Sequence, residues 1–167
     1  MVNYTWTNAD GANSYWNTPG NWDTDDGTYP DDNGDRAIFN STSTDDCNMN
    51  VTTTIGRLSL DSGYGGTITL NNGLTLDDAG AHGGSVELTD GTIDIQANGF
   101  WVDGDVALSG ELDCSARTGN ITMGGLNIAG GTFKAPSGET IMSGDVRSAA
   151  SNIQHNDGTF KFDASAT

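Results

Sequence analysis

Two aspartates and a lysine raise the first chemical question. The motif Gly-x-apolar-x-apolar occurs five times, beginning at Gly66, Gly91, Gly110, Gly131 and Gly158. The third residue after each glycine is, in turn, Thr69, Asp94, Asp113, Lys134 and Lys161. If the copies stack as neighbouring strands about 4.8 Å apart, these residues form one outward row. Asp94 and Asp113 then become adjacent carboxylates near the spacing of a retaining glycosidase pair, with Lys134 beside them. The same placement makes Asp113 and Lys134 a plain cross-strand ion pair, and no evident long loop builds a cleft over the row. Asp94 and Asp113 are therefore weak catalytic candidates, and the chain is expected not to be an enzyme.

A second cluster invites a metal. Asp23, Asp25, Asp26, Asp31, Asp32 and Asp35 crowd thirteen residues, and calcium needs several converging carboxylate and carbonyl oxygens. Gly27 comes too early for an EF-hand loop and no glutamate closes one, so turn aspartates are the plainer reading, with calcium as the only cofactor considered. His82 and His155 stand in polar loops with no partner at metal-ligand spacing, and no nucleophile elbow or phosphate-cradling glycine loop is present. Thr67-x-Thr69 is not continued as a threonine lattice, because the other copies carry Asp or Lys at the second position.

The elements that must position these groups are short strands. Between successive copies of the motif two further strands open at glycines: a second set at Gly73, Gly99, Gly119 and Gly138, and a third at Gly84, Gly104, Gly125 and Gly144, with Gly56 starting an earlier third-set strand. The mean interval between first-set glycines is 23 residues, inside the range of solenoid turns. Strands of three to five residues bury little alone, so they must stack in parallel on their equivalents. The fold expected is an all-β, right-handed parallel β-solenoid with three short strands per coil, about 23 residues per coil, and triangular cross-section. An antiparallel sandwich has no reason to repeat Gly-Thr-apolar at one phase. Period-two alternation turns Leu58, Leu60, Ile68, Leu70, Val86, Leu88, Ile93, Ile95, Val106, Leu108, Leu112, Ile121, Met123, Phe133, Phe160 and Phe162 inward. The second set has two possible registers, because apolar residues follow Gly73 and Gly99 at the first and third positions but Gly119 at the second and fourth. A slip of one residue decides whether Trp101 is buried or is an exposed binding residue.

Residues 1–50 carry no copy of the motif but hold Tyr4, Trp6, Tyr15, Trp16, Trp22, Tyr29 and Phe39. A bare first coil would expose ladder N–H and C=O groups, so this segment is expected to cap the repeats of 51–167. A sugar-stacking platform is the other use of so many rings. At the opposite end, Phe160 and Phe162 are expected in a last first-set strand, with the chain stopping at Thr167 before its coil closes. That end is expected either to continue into a longer native chain or to pack on an identical or different subunit, in a homo-oligomer or a larger assembly.

Composition narrows the partners. Six Lys and Arg against 23 Asp and Glu give a net charge of −17, which excludes a nucleic-acid surface. No apolar run approaches a membrane span and the first residues have no signal-peptide pattern, so no membrane insertion and no N-terminal secretion signal are expected. Cys47 and Cys114 are expected unpaired: stacking separates them by roughly 10 to 15 Å along the axis, and a bridge needs Cα atoms within about 7 Å.

Tyr4-Thr-Trp6, Trp16-Asn-Thr-Pro-Gly-Asn-Trp22, Pro30 and Asp35-Arg-Ala-Ile-Phe39 resemble the opening of repeat-rich β-solenoid proteins of bacterial surfaces, including autotransporter passenger-like proteins and adhesin repeats, and of phage virion β-helix proteins. Gly130-Gly-Thr-Phe-Lys-Ala-Pro-Ser-Gly138 and Gln154-His-Asn-Asp-Gly-Thr-Phe160 resemble the repeats that follow in them. The resemblance implies a β-solenoid without shared catalytic residues, in a virion or at a cell surface. The function expected is a non-catalytic structural module: a virion fibre, spike or decoration, or a bacterial adhesin. The alternatives are a carbohydrate-binding module that meets surface glycans through Trp101, and a β-helix polysaccharide hydrolase or lyase.

Overall fold

Short strands with one apolar face find their cover in the turn above and the turn below. In a computed structural model of the chain, which describes residues 2–24, 26–77, 79, 83–96, 99–148 and 152–163, they form a three-sided parallel β-solenoid of about six turns. Two strands precede the turns, β1 (Val2–Trp6) and β2 (Trp22–Asp23). The first turn comprises β3 (Asp35–Phe39), β4 (Cys47–Met49) and β5 (Thr53–Ile55), and the second β6 (Arg57–Leu60), β7 (Thr67–Leu70) and β8 (Leu74–Leu76). The third holds β9 (Ser85–Leu88), β10 (Thr92–Ile95) and the start of β11 (Phe100–Leu108). The end of β11 opens the fourth, which continues through β12 (Glu111–Asp113) into β13 (Ile121–Ile128). The end of β13 opens the fifth, followed by β14 (Thr132–Lys134) and β15 (Glu139–Met142). The sixth is β16 (Val146–Ser148), β17 (Ile153–Gln154) and β18 (Thr159–Phe162).

The first side is therefore β4, β7, β10, β12, β14 and β17, all parallel and in register. Its inward column runs Cys47, Ile68, Ile93, Leu112, Phe133, Ile153, at about 21 residues per turn rather than 23. The longer figure came from Gly158, whose strand belongs elsewhere. β18 pairs with β15 on the second side, placing Phe160 over Thr140 and Phe162 over Met142. Lys161 accordingly leaves the first-side row, where Gln154 takes its place, and the sixth turn has all three of its strands. Every other residue expected to point inward is buried. On the second side Phe100 and Val102 lie in register with Leu74 and Leu76, so the register that exposes Trp101 is the one adopted.

Stacking begins before residue 51. β3 and β4 already sit in register with β6 and β7, and β1 continues the third side below β3. Tyr15 bridges Asn48 below the first side, and the buried Pro30 carbonyl accepts from Thr53 Oγ1 at 3.5 Å on the second. Trp6, Trp16 and Trp22 are buried with their ring N–H groups donating to the carbonyls of Asp45, Pro30 and Trp16 at 3.1, 3.0 and 2.7 Å, which meets the hydrogen-bond demand of a buried indole. These rings form an internal cluster, so none of the three is available to stack a sugar. Asn21, fully buried, knits the segment by donating from Nδ2 to the carbonyls of Asn13 and Tyr15 and accepting from the Asp10 N–H.

Cys47 and Cys114 are both buried and free, separated by three turns of the first side. Burial pushes both thiols well above their ordinary range. Cys114 occupies the inward position above Ile95, as a small core residue.

Candidate functional site

The outward row of the first side is Asn48, Thr69, Asp94, Asp113, Lys134 and Gln154. Parallel pairing brings Asp94 and Asp113 together as the spacing predicted, with Lys134 on the next turn. Lys134 Nζ donates to Glu111 Oε1 at 2.7 Å and to Asp113 Oδ2 at 2.9 Å, so two carboxylates from the turn below clasp one ammonium. The other oxygen of Asp113 accepts from the Ser115 N–H at 2.9 Å and its hydroxyl at 2.6 Å. Gln96 Nε2 donates to Asp94 Oδ2 at 2.5 Å.

Protonation follows from these contacts. Partial burial works to raise Asp113, but the Ser115 hydrogen bonds and the Lys134 ammonium outweigh it and hold the carboxyl below its ordinary range. Hydrogen bonds to Glu111 and then Asp113 push Lys134 up to about 12. A general acid must hold a proton near neutral pH, and Asp113 is tuned the other way. Two hollows of about 160 and 190 Å³ lie on the third side, around Asn127, and neither is lined by Asp94 or Asp113. What the Lys134 clasp does is tie the fourth and fifth turns together by charge.

Asp26 and Asp32 of the N-terminal segment are spent on turns. Asp26 accepts from the Tyr4 hydroxyl at 2.8 Å and from Thr24 and Thr28, and the Tyr4 bond leads the effects that draw its carboxyl down to about 2. Burial pushes the Tyr4 hydroxyl up to about 12. Asp32 accepts from the Gly34 N–H at 2.8 Å, Asp23 is exposed in β2, and Asp25 lies outside the described residues, as does His82. Among the described residues no three His, Cys, Asp or Glu side chains are grouped to hold a metal ion. Exposed His155 is occupied with its own turn, its Nδ1 accepting from the Asp157 N–H at 3.2 Å.

Asp35 behaves differently from its neighbours. It is buried at the start of β3, with Oδ2 accepting from the N–H groups of Asp31 and Asp32 at 3.1 Å each. Burial raises its pKa more than those bonds lower it, and the Asp32 and Asp31 charges add to the rise. A raised folded-state value means that stability is fully present below the unfolded pKa, about 3.9, and declines as pH climbs through the folded value. Asp35→Asn keeps an oxygen for both N–H groups and removes the charge. The variant is expected to match the wild type near pH 3 and to gain on it as pH rises through the acidic range to a plateau. Urea midpoints across that range would show this, and a variant that loses ground as pH rises contradicts it.

The second side offers a different kind of site. Its outward row is Thr54, Thr75, Trp101, Thr122, Ile141 and Lys161. Trp101 is 47% exposed, with its ring N–H donating to Asp103 Oδ1 two residues along the same strand. Asp103 was open to sequence reasoning through that spacing, since positions i and i+2 share a face. Tyr64 was not: it sits among turn glycines outside any alternating run, yet is fully buried and donates to the Asp45 carbonyl at 3.2 Å.

Among the described residues no helix is long and apolar enough to cross a membrane. Comparison with protein-family models, curated proteins and solved structures finds no match for this chain.

Proposed function

We propose that the chain is a non-catalytic structural module of a surface assembly, a virion fibre, spike or decoration or a bacterial adhesin, which joins other protein subunits through the C-terminal end of its solenoid. The observation that carries this reading is the contrast between the two ends. The described residues of 2–34 cover the N-terminal end with a buried aromatic cluster and continuing strands. At the other end Phe162 stands in the inward column above buried Met142 and is 66% exposed. Val146, Ile153 and Phe160 in the same turn are only partly covered. Among the described residues no further strand stacks on β16, β17 and β18. A cap at one end and an apolar, strand-edged surface at the other suit a module that is docked from one direction. The resemblance of the aromatic opening and the repeats to surface β-solenoids supports the setting.

Sedimentation velocity through the micromolar range tests the proposal. The wild type is expected to self-associate, and Phe162→Lys, which removes no buried contact of a fully covered residue, is expected to remain monomeric with an unchanged thermal midpoint. A strictly monomeric wild type, or an association that Phe162→Lys leaves intact, counts against docking at this end.

A further inference from the structure

We infer that the outward surface of the second side, centred on Trp101, binds a neutral polysaccharide chain. The reading does not depend on the docking end, which lies around Phe162 at the last turn.

The row Thr54, Thr75, Trp101, Thr122, Ile141 places one residue per turn at the same outward position, and threonine fills it three times. Any β-forming side chain satisfies the ladder there. The tryptophan packs against none of the other aromatic rings and leaves nearly half its surface in water, whereas Trp6, Trp16 and Trp22 are buried. The hydrogen bond from its ring N–H to Asp103 Oδ1 favours one orientation of the exposed indole, which lowers the ordering cost of presenting a flat ring.

What surrounds the ring selects the ligand. Thr75 and Thr122, directly in register on adjacent strands about 4.8 Å to either side along the axis, each add a hydroxyl-bearing side chain to the row. Asp103 spends one carboxylate oxygen on the indole and keeps the other for a hydroxyl donor. A sugar presents an apolar C–H face to an aromatic ring and hydroxyls at its rim, which fits this arrangement of ring, hydroxyls and acceptor. From Thr54 to Ile141 the row carries no charge in a molecule of net charge −17, so uronate, sulfated or sialylated chains are repelled by the surroundings while a neutral chain is not. The surface is an open ladder several turns long, which suits successive units of a chain better than a single small molecule.

Affinity electrophoresis in gels containing hydroxyethyl cellulose, galactomannan or dextran, with polygalacturonate as the anionic control, tests the inference. The wild type is expected to be retarded in at least one neutral gel and not in polygalacturonate. Trp101→Ala is expected to weaken that retardation at least tenfold, while Trp101→Tyr keeps part of it and far-ultraviolet circular dichroism shows all three folded. Because the other three tryptophans are buried, a fluorescence blue shift on adding the retarding polysaccharide reports on Trp101 directly. Three results overturn the inference: no retardation of the wild type in any neutral gel, equal retardation of Trp101→Ala, or a self-association lost in Trp101→Ala without retardation. The last would make the surface a contact between copies. A monomeric Phe162→Lys that is still retarded would leave this inference standing whatever the fate of the docking end.

Discussion

Phe39→Ala is expected to cost about 3 to 5 kcal/mol, the range for emptying a well-packed aromatic site. Phe39 sits on β3, between β1 of the N-terminal segment and β6 of the second turn. Its ring lies 5.6, 6.1 and 5.5 Å from the rings of Trp6, Trp16 and Trp22 and 5.1 Å from that of Tyr64. The three indoles are pinned by hydrogen bonds to Asp45, Pro30 and Trp16 carbonyls, so they cannot collapse into the space without leaving buried donors unpaired. In a solenoid each turn touches only its neighbours, so the damage should stay at one end. Hydrogen exchange is expected to speed up across Val2–Trp6 and Asp35–Phe39 with Glu139–Met142 little changed. Phe160→Ala makes the comparison: among the aromatic rings it pairs with Phe133 alone, at 6.2 Å, and it is partly exposed, so less than half the loss is expected. Urea unfolding of the two variants measures both, and a Phe39→Ala loss below about 1 kcal/mol would remove the cluster from its role as the clamp of the N-terminal end.

The parts of this molecule legible in its sequence are those that repeat for a local reason. The inward columns were readable because each strand alternates strictly and its neighbours in the stack alternate in phase. Gly158-Thr-Phe-Lys misled because it copies Gly131-Thr-Phe-Lys letter for letter yet lies on another side. A strand's side is set by its position along the turn, and the true sixth strand of the first side, Ile153–Gln154, has no glycine two residues before it. The exposure of Trp101 could not be decided locally either. Phe100 and Val102 are committed inward by pairing with Leu74 and Leu76, a long-range fact. Asp94, Asp113 and Lys134 came together as their spacing implied, but Glu111, which shares the ammonium, was absent from the expected row because it is two residues earlier on the strand. Asn21 and Tyr64 act through partners that alternation does not index, in the one case within an irregular segment and in the other nineteen residues away.

The glycines that begin the first-side strands can be tested as a steric requirement. In the stack Gly66, Gly91, Gly110, Gly131, the first three carbonyl oxygens accept the ladder N–H of the residue that follows the glycine one turn above: the Thr92 N–H donates to Gly66 at 3.1 Å, the Glu111 N–H to Gly91 at 3.0 Å and the Thr132 N–H to Gly110 at 3.0 Å. That bond draws the next glycine down onto the same oxygen. A Cβ on Gly91 would stand 2.9 Å from the Gly66 oxygen, one on Gly110 would stand 2.7 Å from the Gly91 oxygen, and one on Gly131 would overlap the Gly110 oxygen outright. Of the four only Gly91 has a positive φ, so close approach, not backbone freedom, is what excludes a side chain along most of the column. Gly131→Ala must lengthen the Thr132 bond and lift β14 from β12, weakening the clasp of Lys134 by Glu111 and Asp113 as it does so. A loss of about 3 kcal/mol is expected, the upper part of the range for forcing atoms into a packed site. The neighbouring Gly130→Ala adds its methyl to open space and is expected to stay within about 0.5 kcal/mol of the wild type. Equal urea midpoints for the two variants would mean that the repeated glycine has some other cause than the carbonyl of the turn beneath it.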